Sequence, residues 1–128
     1  MTARLLVTSF GYLHGDPPPA DVTVDLRDWL RDPHVDPAMR EMTGLDPAVR
    51  DKVELTPGAA ELARKVVWLA ATLAGLADEG RQVRVALGCA GGRHRSVAVA
   101  ELVADRLRNV GWWTDVVHRD VGLPVVVR

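Results

Sequence analysis

Apolar positions along the chain fall into short runs near both ends and recur at helical spacing between them. Leu5-Leu6-Val7-Thr8-Ser9-Phe10 reads as a buried strand closed by Gly11, and Val22-Thr23-Val24-Asp25-Leu26 as a second strand. A loop with Gly15 and the run Pro17-Pro18-Pro19 separates them. Leu62, Val66, Leu69, Leu73 and Leu76 share one helical face. Thr56 is the expected N-cap of that helix, Pro57 its first residue and Gly80 its end. A third strand, Val83 to Leu87, runs directly into Gly88-Cys89-Ala90-Gly91-Gly92-Arg93-His94-Arg95-Ser96. A second helical segment, Val97 to Val110, follows and ends near Gly111. A last strand, Thr114 to His118, precedes the apolar tail Leu123-Pro124-Val125-Val126-Val127.

Between Arg27 and Asp46 no periodicity is visible. The stretch is polar, is punctuated by Pro33 and Pro37, and carries His34, Arg40, Thr43 and Gly44. It reads as a long loop, of the kind that often carries function, or as a surface excursion with a short helix around Trp29.

Helical crossings of this length favour parallel pairing. The expected class is therefore α/β: a single compact domain over residues 1–128, with a mostly parallel sheet flanked by helices. Ligands of such sheets sit beyond the carboxyl ends of the strands. The segments after Phe10, Leu26, Leu87 and Val117 then meet at one rim, with His14, Arg27, the glycine-rich turn and His118-Arg119.

Composition narrows the class. Of the 128 residues 48% are apolar, which fits a packed core, and a net charge of -1 gives no global basic field for nucleic acid. A single cysteine forms no intramolecular disulfide and suits a reducing compartment. The amino-terminal apolar run ends by Phe10, too short for a membrane span, and shows no signal-peptide cleavage pattern. The expectation is a soluble cytoplasmic protein with no membrane partner.

The glycine-rich turn is the strongest chemical signal. A strand, glycine turn and helix in succession present unpaired N–H groups and the positive end of a helix dipole to an anion, most often a phosphate. Arg93 and Arg95 can add charge-assisted hydrogen bonds, and His94 can donate as well. The residues leave three readings open. In the first, Gly91 and Gly92 let the backbone approach a phosphate and Arg95 clamps it. In the second, Cys89 and Arg95, five residues between them and Ser96 next, make a cysteine-phosphatase loop. There a helix N-terminus and arginines would activate the Cys89 thiolate. Against it, Gly88 stands where those phosphatases usually carry histidine. The general acid is also not singled out among Asp16, Asp28, Asp32, Asp36 and Asp46. In the third, the turn is structural and Cys89 is a small buried residue.

Other site classes fall away. No Walker-type loop exists, and the only lysines, Lys52 and Lys65, lie outside any glycine loop. His14, His34, His94 and His118 are scattered rather than spaced as metal ligands, so no metal or cofactor is expected. Among the tryptophans, Trp68 reads as core or interface, and Trp112-Trp113 as packed on the sheet or a partner subunit. Only Trp29 lies in a loop near the proposed site. The apolar tail and the tryptophan pair suggest a homodimer.

Several segments together resemble one family, the carboxyl-terminal domain of the RNase adapter protein RapZ and its relatives. They are Ser9 to Gly15, Ala20-Asp21 through Asp25-Leu26-Arg27, Asp32-Pro33-His34, Met42 to Asp46, Gly88 to Val97 and His118-Arg119. The resemblance implies a non-catalytic domain that senses a phosphorylated amino sugar, glucosamine 6-phosphate, with a link to RNA regulation. A nucleotide is the other ligand considered. Carried over by position, Ala90, Gly91, Gly92, His94, Arg95 and Ser96 would hold the phosphate, while His14, His34, Asp25 and Arg27 would surround the sugar.

Three features depart from the family pattern. Ala90 replaces a usual threonine, the chain is expected to stand without the family's amino-terminal nucleotide-binding domain, and an apolar tail replaces a basic one. RNA contact would then rest on a patch drawn from Arg81, Arg84, Arg93, Arg95, Arg106 and Arg108.

Overall fold

The computed structural model describes residues 2–31 and 37–126. Four strands, β1 (Leu5–Gly11), β2 (Val22–Asp25), β3 (Val83–Cys89) and β4 (Thr114–His118), form one parallel sheet in the order β2-β3-β1-β4. Ser9 pairs with Leu87 on one side and His118 on the other, Gly11 pairs with Cys89, and Asp25 with Gly88. All four carboxyl ends therefore share one edge, as the sequence predicts.

Three helices accompany the sheet: α1 (Pro47–Glu54), α2 (Ala59–Leu76) and α3 (Arg95–Asn109). The steps from β2 to β3 and from β3 to β4 move the same way across the sheet. Right-handed crossovers then put α2 and α3 on one face, where they pack on each other and on β3. Alternate strand positions Leu5, Val7, Val83, Val85 and Leu87 meet Val49, Val53, Val66, Val99, Val103 and Leu107 in this core. On the opposite face Phe10 is fully buried, its ring 4.8 Å from that of Tyr12, with the Arg119 guanidinium 5.3 Å above it.

The middle of the chain departs from the sequence reading. The stretch read as a loop is followed by α1, which the periodicity misses because only Val49 and Val53 mark its buried side. Thr56 does not open α2. Its hydroxyl donates to the Lys52 carbonyl at 2.9 Å, fastening the end of α1, and α2 starts after Gly58 in the left-handed region (φ 89°). The buried stripe of α2 is Ala59, Ala63, Val66, Ala70 and Ala74 rather than the leucine face. Alanines let the helix axis approach its neighbours closely, leaving Leu62 and Leu73 at the flanks and Leu69 and Leu76 exposed. Trp68, expected in core or interface, is 70% exposed on the same outer side.

Candidate functional site

The end of β3 is built around close backbone approaches. A Cβ at Gly88 would sit 2.4 Å from the Phe10 ring and 2.6 Å from the Tyr12 ring, so a side chain there requires both rings to shift. A histidine before Cys89 would force the Phe10 and Tyr12 rings to move. A Cβ at Gly11 would lie 2.4 Å from the Gly91 carbonyl carbon, and one at Gly92 2.5 Å from the Gly11 nitrogen. Gly92 also has φ +71°, which other residues rarely adopt. The turn is thus pressed directly on the end of β1, and Leu13 N–H donates to the Ala90 carbonyl at 3.0 Å.

A second backbone segment supports the turn from the helix side. Gly44 N–H donates to the Arg93 carbonyl at 2.8 Å, and a Cβ at Gly44 would meet the His94 carbonyl oxygen at 2.5 Å. The Arg93 guanidinium donates to the Glu41, Met42, Val121 and Leu123 carbonyls. It therefore ties the segments on either side of the turn together. His94 is buried, with Nε2 3.0 Å from the Met39 carbonyl oxygen.

Among the described residues the turn's N–H groups at Gly91, Gly92, Arg93 and Ser96 make no hydrogen bond. Beside the turn, a cavity of about 660 Å³ is lined by Ala90 and Arg95 and by Arg27, Asp28, Trp29, Leu30 and Arg31. Arg95 is only 5% exposed, and its Nη1 donates to the Leu30 carbonyl at 3.0 Å and the Arg27 carbonyl at 3.3 Å. Arg27 grips Asp25 with its Nε and Nη2 at 2.7–3.2 Å and stacks 3.8 Å above the Tyr12 ring. Hydrogen bonding to Arg27 outweighs burial and holds the Asp25 carboxyl below its ordinary pKa, with Arg95 contributing at longer range. For Tyr12, burial and then the Asp25 charge push the phenol up.

Cys89 is 3% exposed, and its Sγ lies 3.2 Å from Ser96 Oγ. The hydroxyl of Ser96 therefore faces the thiol rather than the open side of the turn.

The expected site residues divide into groups. Arg27 and Asp25 come together with the turn and Arg95 on the β2 side. His14 lies toward β4: it acts electrostatically on Asp120 and does not line the cavity, and its buried Nε2 meets no partner among the described residues. His34 lies outside the described residues, as do Asp32 and Asp36. His118 points to the helix face, where Nδ1 is 2.6 Å from Ser9 Oγ and Nε2 3.6 Å from the Glu101 carboxylate. Arg119 turns to the other side, donating to the Gly11, Gly15 and Asp16 carbonyls and gripping Asp120. The sequence reading missed Asp120 and Arg31 and singled out Gly44 without giving it a role in the turn; Asp120, next to His118-Arg119, is the one that position alone could have raised.

Of the arginines proposed as a basic patch, Arg93 and Arg95 are held by carbonyls. Arg81 pairs with Asp21 and Arg108 with Asp105. No group of three or more His, Cys, Asp or Glu side chains placed to hold a metal occurs among the described residues. No described helix is long and apolar enough to cross a membrane.

Known proteins share this chain's sequence over most of its length. It is similar to a nucleotide-binding protein of Streptomyces coelicolor, 48% identical over 121 residues that cover 93% of this chain and 40% of that protein. A nucleotide-binding protein of Thermus thermophilus is 46% identical over 123 residues, 91% of this chain and 42% of that protein. One of Acidiphilium cryptum is 42% identical over 120 residues, 92% and 39% respectively. The chain thus spans about two fifths of the length of these curated relatives. With residues 3–122 matching the RapZ C-terminal domain as a family, the chain belongs to that family.

Proposed function

We propose that this chain is a non-catalytic binding domain for a small phosphorylated metabolite, with its phosphate on the glycine turn. The carrying observation is the set of N–H groups at Gly91, Gly92, Arg93 and Ser96 that make no hydrogen bond among the described residues, at the start of α3 and beside a cavity with Arg27, Arg31 and Arg95. Backbone donors already held in place by Gly11 and Gly44 would bind an anion with little reorganisation. The remainder of the ligand would fill the cavity against Trp29 and Asp28. An amino-sugar phosphate such as glucosamine 6-phosphate suits this pairing of arginines with a carboxylate. A nucleotide is the competing ligand, and the name of the nucleotide-binding relatives does not separate the two, since those proteins extend well beyond this domain.

Calorimetry with glucosamine 6-phosphate, glucosamine, mononucleotides and inorganic phosphate tests the reading. Binding of phosphorylated but not unphosphorylated ligands is expected. A folded sample that binds none of them overturns it. RNA binding stays in this proposal only if an RNA titration shows affinity falling steeply with salt.

One contact favours a second reading, a cysteine-dependent phosphatase: Ser96 Oγ lies close enough to Cys89 Sγ to donate to a thiolate. The buried thiol and the Gly88 packing weigh against it. Hydrolysis of an aryl phosphate that vanishes in Cys89→Ser would establish this chemistry, and hydrolysis indifferent to that change would remove it.

A further inference from the structure

Trp29 stands out on the wall of the cavity beside the glycine turn. Its backbone is held from both sides. Trp29 N–H and Leu30 N–H donate to the Leu26 carbonyl at 3.3 and 3.2 Å, Leu26 and Leu30 are buried, and Arg95 Nη1 grips the Arg27 and Leu30 carbonyls. The indole carried by this fixed turn is nonetheless 76% exposed and stacks on no ring or guanidinium among the described residues. A large ring in water on a rigid support gains contact area when a ligand covers it, with little ordering left to do. The neighbouring charges are unevenly engaged. Arg27 is taken up by Asp25 and Tyr12, and Arg95 by carbonyls. Asp28 and Arg31, which also line the cavity, are exposed and make no hydrogen bond or ion pair among the described residues. At about 660 Å³ the cavity is well above the roughly 300 Å³ at which small-molecule sites begin, leaving room beyond a phosphate and one sugar.

We infer that Trp29 is a stacking subsite for a nucleobase, so that the phosphate esters taken by this cavity are nucleotides. The inference rests on the phosphate seat proposed above and assigns the part of the ligand that lies beyond it. With the phosphate on the turn amides and the pentose crossing the cavity, the base covers the indole. Stacking on an aromatic side chain accepts any base, because each has a π face. The Asp28 carboxylate offers an acceptor to an amino group on the base edge, and Arg31 a cation to the ligand's charge. A bare sugar phosphate would leave the indole, Asp28 and Arg31 in water.

Calorimetry that compares adenosine and guanosine monophosphates with ribose 5-phosphate, which has the same sugar and phosphate without the base, tests it. The nucleotides should bind about tenfold or more tighter. Trp29→Ala should bring them down to the affinity of ribose 5-phosphate and leave that affinity unchanged, and Trp29→Phe should keep part of the preference. The side chain is exposed, so Trp29→Ala should fold as the parent does, which circular dichroism checks. Ribose 5-phosphate binding as tightly as the nucleotides overturns the inference and leaves the phosphate seat intact. So does a nucleotide preference that survives Trp29→Ala, or an equal loss for glucosamine 6-phosphate in that variant, which would put a sugar on the indole. Binding of none of these phosphate esters removes the seat, and the inference with it.

Discussion

The Asp120 carboxylate accepts the Gly11 N–H at 2.7 Å, tying the segment after β4 to the end of β1 where the glycine turn presses on it. Asp120 is only 3% exposed, and Arg119 holds the same carboxylate while donating to three carbonyls of the segment from Gly11 to Asp16. One buried carboxylate thus fixes the floor of the candidate site and the segment that carries His14.

Asp120→Ala should therefore destabilise the fold by about 2–4 kcal/mol, since it leaves a buried amide and a partly buried guanidinium without their acceptor. Chemical denaturation measures this. Burial opposes ionisation of Asp120, but Arg119 and the Gly11 amide outweigh it, and the folded-state pKa lies below 3.8. The contribution is then complete above pH 3.8 and is lost as pH falls through the lower folded value. Acid titrations of the native protein and Asp120→Asn should diverge in that range, and superimposable acid limbs would refute the assignment.

The two glycines of the turn should behave oppositely. Gly92→Ala forces a methyl into the Gly11 backbone at a φ that costs roughly 1–2 kcal/mol for an L-residue, before any clash is counted. It should lower stability measurably in urea. A Cβ at Gly91 meets nothing within 4 Å, so Gly91→Ala should fold within about 0.5 kcal/mol of the parent. If the open amides hold the phosphate, the Gly91 methyl should still weaken phosphate-ester binding. Unchanged affinity would place the anion elsewhere.

Arg95 carries two roles, and its substitution should show both. Sequence alone suggests that Arg95→Ala loses phosphate affinity with little effect on stability. Its near-complete burial and its bonds to the Arg27 and Leu30 carbonyls lead to a different expectation. Arg95→Ala should cost about 2–4 kcal/mol of stability as well as affinity, through the segment that lines the cavity. Arg95→Lys keeps the charge but not the fork. It should recover part of the stability and less of the binding. Full stability in Arg95→Ala would show that the carbonyl contacts contribute nothing.

The sheet and the turn were legible because their signals are local. Each strand is a short apolar run, and Gly88 to Ser96 joins strand to helix without a gap. The middle of the chain was not, for reasons of packing. The choice between Leu69 and Ala70 as the buried position depends on how closely α2 can approach its neighbours, which periodicity does not encode. Within the site, residue type was readable and direction was not. Arg93 and Arg95 stand two positions apart in one motif, yet one clamps flanking segments and the other reaches under the Arg27 turn. His118 likewise shares a dipeptide with Arg119, but strand alternation sends them to opposite faces of the sheet.

That alternation gives His118 a testable pH signature. Its ring lies between Ser9 and Glu101, with burial depressing its pKa below 6.5 and the Glu101 carboxylate opposing the shift. Between the lower folded value and 6.5 the unfolded chain binds more protons than the folded one. Stability from the neutral ring is therefore complete above pH 6.5 and declines as pH falls through the folded pKa, with a slope of at most about 1.4 kcal/mol per pH unit. His118→Gln should flatten this part of the stability–pH curve, whatever it does to absolute stability through Ser9. Glu101→Gln removes the charge that favours the imidazolium, so the decline should extend to lower pH. Denaturant midpoints from pH 7 downward read both effects, and parallel curves for the parent and His118→Gln would show that this histidine does not titrate with folding.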